Sequence, residues 1–250
     1  MNPINSSEMM IKQMALTAYA KENDIVAEYT CLSGNQPLTN GNWIGIWEGE
    51  QILWDTTPIA FVKIKNNNAI NSVPLFGKRA PNMNYIIGYG TSCLLHGNKA
   101  STEEEKTEAK KAEPARKKIS GRKPIPKMNG TIGATVQVNV DGSCEEPFLT
   151  KINAIAVGNN MLLLDYETPV GNIPSQNLNW VGIWPGYTVS FNGENCLYRE
   201  DVQSEFSSGQ ICISGFSFTI DTTYTVAYAV GPSDCDIITT VTFTTMGYGS

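Results

Sequence analysis

Hydrophobic and polar residues alternate with period two along most of this chain, in runs too short for anything but β-strands. In YIIGYG, residues 85–90, Tyr85, Ile87 and Tyr89 share one face, and in YTVAYA, residues 224–229, Tyr224, Val226 and Tyr228 do the same. DIITTVTFTT sets Ile237, Val241 and Phe243 against Ile238, Thr240, Thr242 and Thr244. TIGATVQVNV sets Ile132, Ala134, Val136, Val138 and Val140 against Gly133, Thr135, Gln137 and Asn139. Gly, Asn and Pro punctuate these runs, and helical periodicity hardly occurs outside one charged segment, so an all-β protein of antiparallel strands is expected.

One strand breaks the alternation, and it occurs twice. NWIGIWEG (Asn42–Gly49) and NWVGIWPG (Asn179–Gly186) hold four of the five tryptophans. Sliding the chain by 137 positions aligns Tyr29–Gly49 with Tyr166–Gly186 without a gap, with 11 identities in 21 positions, which marks a duplication. Upstream, DIVAEY sits over MLLLDY; downstream the tyrosine strands match at an offset of 139, so each unit has about the length of one sandwich domain.

The last strand of the first unit, 131–140, follows a charged insertion at about 97–130. We therefore expect two tandem immunoglobulin-like antiparallel β-sandwiches, 1–142 and 143–250, the first carrying the insertion in its last hairpin. The insertion is also the main charge feature. Residues 99–127 hold ten Lys or Arg against five Glu, a net of +5, and the chain's −6 less this +5 leaves −11 on the remainder. Its first half, STEEEKTEAKKAE, has a capping-box relation between Ser101 and Glu104 and ends before Pro114, which fits a short helix. Its second half, PARKKISGRKPIPK, reads as extended.

Lys110, Lys111, Arg116, Lys117, Lys118, Arg122 and Lys123 make the insertion a candidate assembly arm for the chain's own acidic body or a neighbouring copy. A solvated loop and a polyanion or membrane-surface contact are the other readings. No aromatic residue interleaves the basic ones, which argues against single-stranded nucleic acid as a partner.

No apolar run reaches the roughly 18 residues of a membrane span, and the first twenty residues lack a basic start followed by a continuous apolar stretch. The expected location is the cytoplasm, or outside the cell by a route that uses no signal peptide. Six cysteines (Cys31, Cys93, Cys144, Cys196, Cys212, Cys235) show no CxxC pairing, which suits reduced, partly buried thiols, with a bridge from Cys196 to Cys212 or Cys235 as the alternative. His96 is the only histidine and has no nucleophile pattern beside it, and no His, Cys or Asp cluster has metal-ligand spacing. A non-enzymatic protein with no cofactor and no metal is expected.

The strands Trp43-Ile44-Gly45-Ile46-Trp47 and Trp180-Val181-Gly182-Ile183-Trp184 resemble the W-[VI]-G-[IV]-aromatic strand of SKICH-type domains and of the fibronectin-like N-terminal domains of plant purple acid phosphatases. Asn42 and Asn179 stand at the polar turn before it, and the later tyrosine-rich strands also resemble SKICH domains. The resemblance covers about twenty residues of each repeat. It implies an immunoglobulin-like sandwich and a non-catalytic interaction module.

Trp43, Gly45 and Trp47 project to one face of their strand and Ile44 and Ile46 to the other, as do Trp180, Gly182 and Trp184 against Val181 and Ile183. One face must line the sandwich core. The other must be covered by a strand, a loop, the other domain or a partner. Either one tryptophan anchors the core while the other is tucked under a loop, or Trp43, Trp47, Trp180 and Trp184, with Asn42 and Asn179, form a platform for protein docking or sugar stacking. Two functions follow as expectations: a structural or adaptor component of a larger assembly, or a lectin-like binder or toxin recognition module.

Overall fold

A computed structural model of the chain describes residues 2–3, 9–52, 54–75, 80, 82–91 and 128–246. The proposed arm, from Lys110 to Lys123, lies outside the described residues, as do Cys93 and His96. The first repeat contributes β1 (Asn2–Pro3), β2 (Met10–Gln13), β3 (Ala15–Lys21), β4 (Asp24–Thr30), β5 (Trp43–Glu48), β6 (Ala60–Lys63), β7 (Ile70–Leu75), β8 (Tyr85–Gly90) and β9 (Ile132–Val138). The second contributes β10 (Phe148–Leu149), β11 (Lys151–Gly158), β12 (Met161–Glu167), β13 (Trp180–Pro185), β14 (Tyr198–Asp201), β15 (Ser208–Ser214), β16 (Thr223–Ala229) and β17 (Ile237–Thr244), with one helical turn, α1 (Pro174–Asn177), before β13.

In the first repeat the three-stranded sheet β3-β4-β7 faces the sheet that contains β9-β8-β5-β6. In the second, β11-β12-β15 faces β14-β13-β16-β17. All pairings between these strands are antiparallel. Counted from β3 and from β11, the first, second and fifth strands of each sandwich thus lie against the third, fourth, sixth and seventh, the order of an immunoglobulin-like sandwich. The chain is two such sandwiches in tandem.

Alternation explains the outer sheets. Leu16 and Ala18 of β3, Leu162 and Leu164 of β12, and Ile213 of β15 point into the core, while their neighbours along each strand stay exposed or half-buried. Tyr85, Ile87 and Tyr89 line the core together, and so do Tyr224, Val226 and Tyr228.

The last strand of each repeat departs from the expected alternation. Tyr89 opposes Ala134 and Gly90 opposes Ile132, so Gly133 is an extra residue; Tyr228 opposes Thr239 and Ala229 opposes Ile237, so Ile238 is its counterpart. Each bulge reverses the phase of its strand. Ala134, Val136 and Val138 face the sandwich core, whereas Ile132 lies on the tryptophan side of the sheet; Ile238 joins Val241 and Phe243 in the core, and Ile237 lies on the tryptophan side. Val140 is exposed beyond the end of β9.

Hydrogen bonding crosses the 142/143 division in both directions. β2 pairs antiparallel with β17 of the second repeat, Lys12 opposite Thr240, while β10 pairs antiparallel with β9 of the first, Phe148 opposite Thr135. β1 adds to β11. The crossings obey an internal two-fold relation: Met14 donates its N–H to the Ile238 carbonyl at 3.1 Å, and Thr150 donates its N–H to the Gly133 carbonyl at 3.0 Å.

The two bulges meet on this pseudo-axis. A Cβ on Gly133 would lie 2.4 Å from Cγ1 of Ile238, so the one equivalent pair that must touch itself holds a large residue on one side and none on the other. Gly133→Ala is expected to destabilise the protein by about 1–3 kcal/mol through overpacking. In denaturant melts Gly133→Ala with Ile238→Ala should recover much of that loss, giving a double-mutant coupling that additive effects would not produce.

Candidate functional site

The repeated strand decides how the sandwiches meet. Ile44, Ile46, Val181 and Ile183 belong to the sandwich cores. Trp43, Trp47, Trp180 and Trp184 lie on the opposite face of the same sheets, yet none is more than 2% exposed. All four are therefore outside the sandwich and still buried.

Glycine makes this possible. A Cβ on Gly45 would stand 2.6 Å from the Trp43 ring and 2.7 Å from the Trp47 ring, and one on Gly182 would stand 2.7 Å from Trp184 and 2.8 Å from Trp180. In both repeats the two rings fold toward each other over that glycine, with centroids 6.1 Å apart. Gly90 on the neighbouring strand leaves the space beneath Trp43, where a Cβ would come within 2.1 Å of the indole.

Loops and the other repeat complete the cover. Ile52 and Trp54, between β5 and β6, pack on Trp43 and Trp47, while Val189 and Phe191, between β13 and β14, pack on Trp180 and Trp184. Leu32 of the first repeat enters the tryptophan cluster of the second. Trp54 donates its indole N–H to the Val170 carbonyl at 2.7 Å and lies against Gly171, and Phe191 lies against Gly34. Residues 34 and 171, and 54 and 191, are equivalent at the repeat offset of 137. The contact is thus isologous within one chain, the same patch used twice.

The outermost rings are covered differently. The Arg199 guanidinium stacks 3.8 Å over the Trp180 ring and bonds Asp234 at 3.0 Å and the Pro232 carbonyl at 2.7 Å. In the first repeat Phe61 sits edge-on to Trp43, 6.4 Å between centroids. Among the bonds across the repeats without a twin are that of the Trp54 indole, whose equivalent Phe191 carries no donor, and that of Thr91, which donates its hydroxyl to the buried carboxylate of Asp236 at 2.8 Å.

Asn42 and Asn179 are both fully buried. Their backbone N–H groups donate to the Pro37 and Pro174 carbonyls, and their carbonyls accept from Ile64 and Val202, so each holds the loop before its tryptophan strand. The Asn42 side chain donates to the Tyr89 hydroxyl at 2.7 Å, and the Cys31 thiol contacts that hydroxyl at 3.1 Å. Burial raises the Tyr89 hydroxyl far above its ordinary range and pushes the Cys31 thiol up to about 11, against a partly offsetting hydrogen bond from Tyr89. In the second repeat Thr168 stands in place of Cys31 and donates its hydroxyl to the Ser207 carbonyl, and the Asn179 side-chain amide and the Tyr228 hydroxyl make no hydrogen bond to a described residue.

The six motif residues proposed as a binding platform thus have no ring face or amide at the surface for a glycan. What the sequence reading missed are their partners across the interface: Leu32, Gly34, Trp54, Gly171 and Phe191. The fifth tryptophan, facing Phe191 at the repeat offset just beyond the aligned block, was the available signal. The described cysteines, Cys31, Cys144, Cys196, Cys212 and Cys235, are free. Among the described residues no group of three His, Cys, Asp or Glu side chains gathers, and no helix is long and apolar enough to cross a membrane.

No family model and no curated protein matches the chain. Among solved structures it is similar to the chicken interferon gamma receptor alpha chain, with 10% identity over 93% of this chain and 97% of that one and a TM-score of 0.25. It is also similar to the FN1–FN3 domains of chicken CNTN1, with 9% identity, all of this chain and 62% of that one covered, and a TM-score of 0.24. The strand order given above, not these likenesses, makes the fold immunoglobulin-like. The resemblance to SKICH-type domains rests on the tryptophan and tyrosine-rich strands of the sequence, and no comparison extends it.

Trp54→Ala should cost about 2 kcal/mol of unfolding free energy, less than a fully buried tryptophan, and unfolding should remain one transition by both tryptophan fluorescence and circular dichroism because the strands still cross. The Cys31 thiol titrates near 9 when unfolded and near 11 when folded. Its contribution is full below pH 9 and is lost as the pH rises from 9 to 11. Cys31→Ala should therefore flatten the fall in unfolding free energy across that window, read by denaturant titration at each pH.

Proposed function

We propose that the chain is a non-enzymatic binding protein that serves as a structural or adaptor component of a larger assembly. One observation carries the reading: the duplicated tryptophan faces, with the loops that cover them, lie where the two sandwiches join, so what each repeat retained most strongly borders an interface. A protein organised around such a contact offers partners a double-length body with its remaining loops held in fixed relation. The charge distribution supports assembly, since a basic segment at 99–127 on an otherwise acidic chain makes copies electrostatically complementary.

Light scattering at low salt should give a mass above the 27.3 kDa of one chain, rising with concentration. Deleting residues 99–127 should return it to the monomer. A mass that stays monomeric in both proteins over a wide concentration range would sink the proposal.

A further inference from the structure

The join between the sandwiches leaves a groove of about 320 Å³ on one side of the pseudo-axis. Its apolar surface is built from both repeats: Ile52 and Ile86 from the first, Phe148 and Val170 from the second. Val170 is 71% exposed. Three carboxylates, Glu50, Glu145 and Glu146, stand around it.

Among the described residues, two of these carboxylates are hydrogen-bonded to amides. Glu50 accepts from Asn84 Nδ2 at 3.1 Å and Glu145 from Gln137 Nε2 at 3.2 Å, and no described cation pairs with any of the three. Lys151 is held elsewhere, 3.5 Å from Glu167 and 5.8 Å from the Phe148 ring centre.

The duplication supplies an internal control. By repeat offset and strand register, Tyr187 stands where Glu50 does, Met9 and Met10 where Glu145 and Glu146 do, and Lys12 where Phe148 does. The same sandwich and the same interface thus form on the other side of the pseudo-axis with none of these carboxylates. Folding does not require them, and an acidic rim on an apolar groove fits a basic segment that carries an apolar residue.

We propose that this groove receives residues 115–127, ARKKISGRKPIPK, of a second copy of the chain. The segment holds six Lys or Arg and no acidic residue, with Ile119 and Ile125 spaced among them. Its two prolines disfavour a helix and suit an extended chain lying along the groove. A second copy is the partner because every copy brings both charges, +5 on 99–127 and −11 on the rest. The inference rests on the assembly reading and supplies its contact.

A synthetic peptide of residues 115–127 is titrated calorimetrically into the full chain and into Glu50→Gln/Glu145→Gln/Glu146→Gln. Binding to the full chain at low salt is expected, weakened about tenfold in the triple variant, since each exposed ion pair contributes roughly two- to threefold. Val170→Asp should weaken it as well by removing apolar surface. Binding that the triple variant leaves unchanged overturns the groove assignment. Self-association of the full chain that persists in the triple variant overturns the groove and leaves the assembly reading standing, whereas a monomer that binds no peptide overturns both. A full chain that is monomeric and binds the peptide only after residues 99–127 are deleted shows that the chain's own segment fills the groove, and overturns the assignment to a second copy.

Discussion

The structure depends on the exchange of leading strands between the repeats. The final strand of each sandwich, β9 or β17, would otherwise end its sheet with a row of unpaired N–H and C=O groups, the exposure that invites uncontrolled pairing. Each edge is filled instead by the leading strand of the other repeat, β10 on β9 and β2 on β17. Met14 and Thr150, at the crossings, carry the chain from one sandwich to the other with their N–H groups bonded across the axis. Neither sandwich has its full set of strands without the other.

Once the sheets are held this way, the loops that cover the tryptophan faces, with Trp54 and Phe191, pack across the axis. Trp54 over Gly171 and Phe191 against Gly34 are one solution used twice: a Cβ on Gly171 would stand 2.3 Å from the indole, while at Gly34, whose Cβ would only touch Phe191 at 3.5 Å, the φ of +92° favours glycine. Near the axis the symmetry must break. A residue that meets its own equivalent has to fit itself, and Gly133 against Ile238 meets that condition by having unequal partners. Away from the axis the repeats have drifted more freely: Arg199 does for Trp180 what Phe61 does for Trp43, and Thr168 has replaced Cys31.

The functional consequence is a change in what the repeated motif means. A strand with tryptophans on one face and aliphatic residues on the other looks like a binding stripe when read alone. Here both tryptophan faces are buried, and the features in which the repeats differ are the acidic groove on one side of the axis and, in the sequence, the basic segment at 99–127.

The all-β class, the duplication and most strands were legible in the sequence because they depend on features within one strand or on a fixed offset along the chain: two-residue alternation, turn residues, and the 137-residue repeat. The bulges at Gly133 and Ile238 were not, since an extra residue is defined only by the partner strand it fails to match, and each reversed the facing assigned to part of its strand. Nor could alternation say whether Ile44 with Ile46 or Trp43 with Trp47 lined the core, both faces being apolar. Only the tertiary structure decided that, by bringing Leu32 to Trp180 and Trp54 to Val170 across more than a hundred residues of chain. The physical reason is that a face is inside or outside only relative to what covers it, and here the cover is a loop of the same repeat that the other repeat in turn packs against.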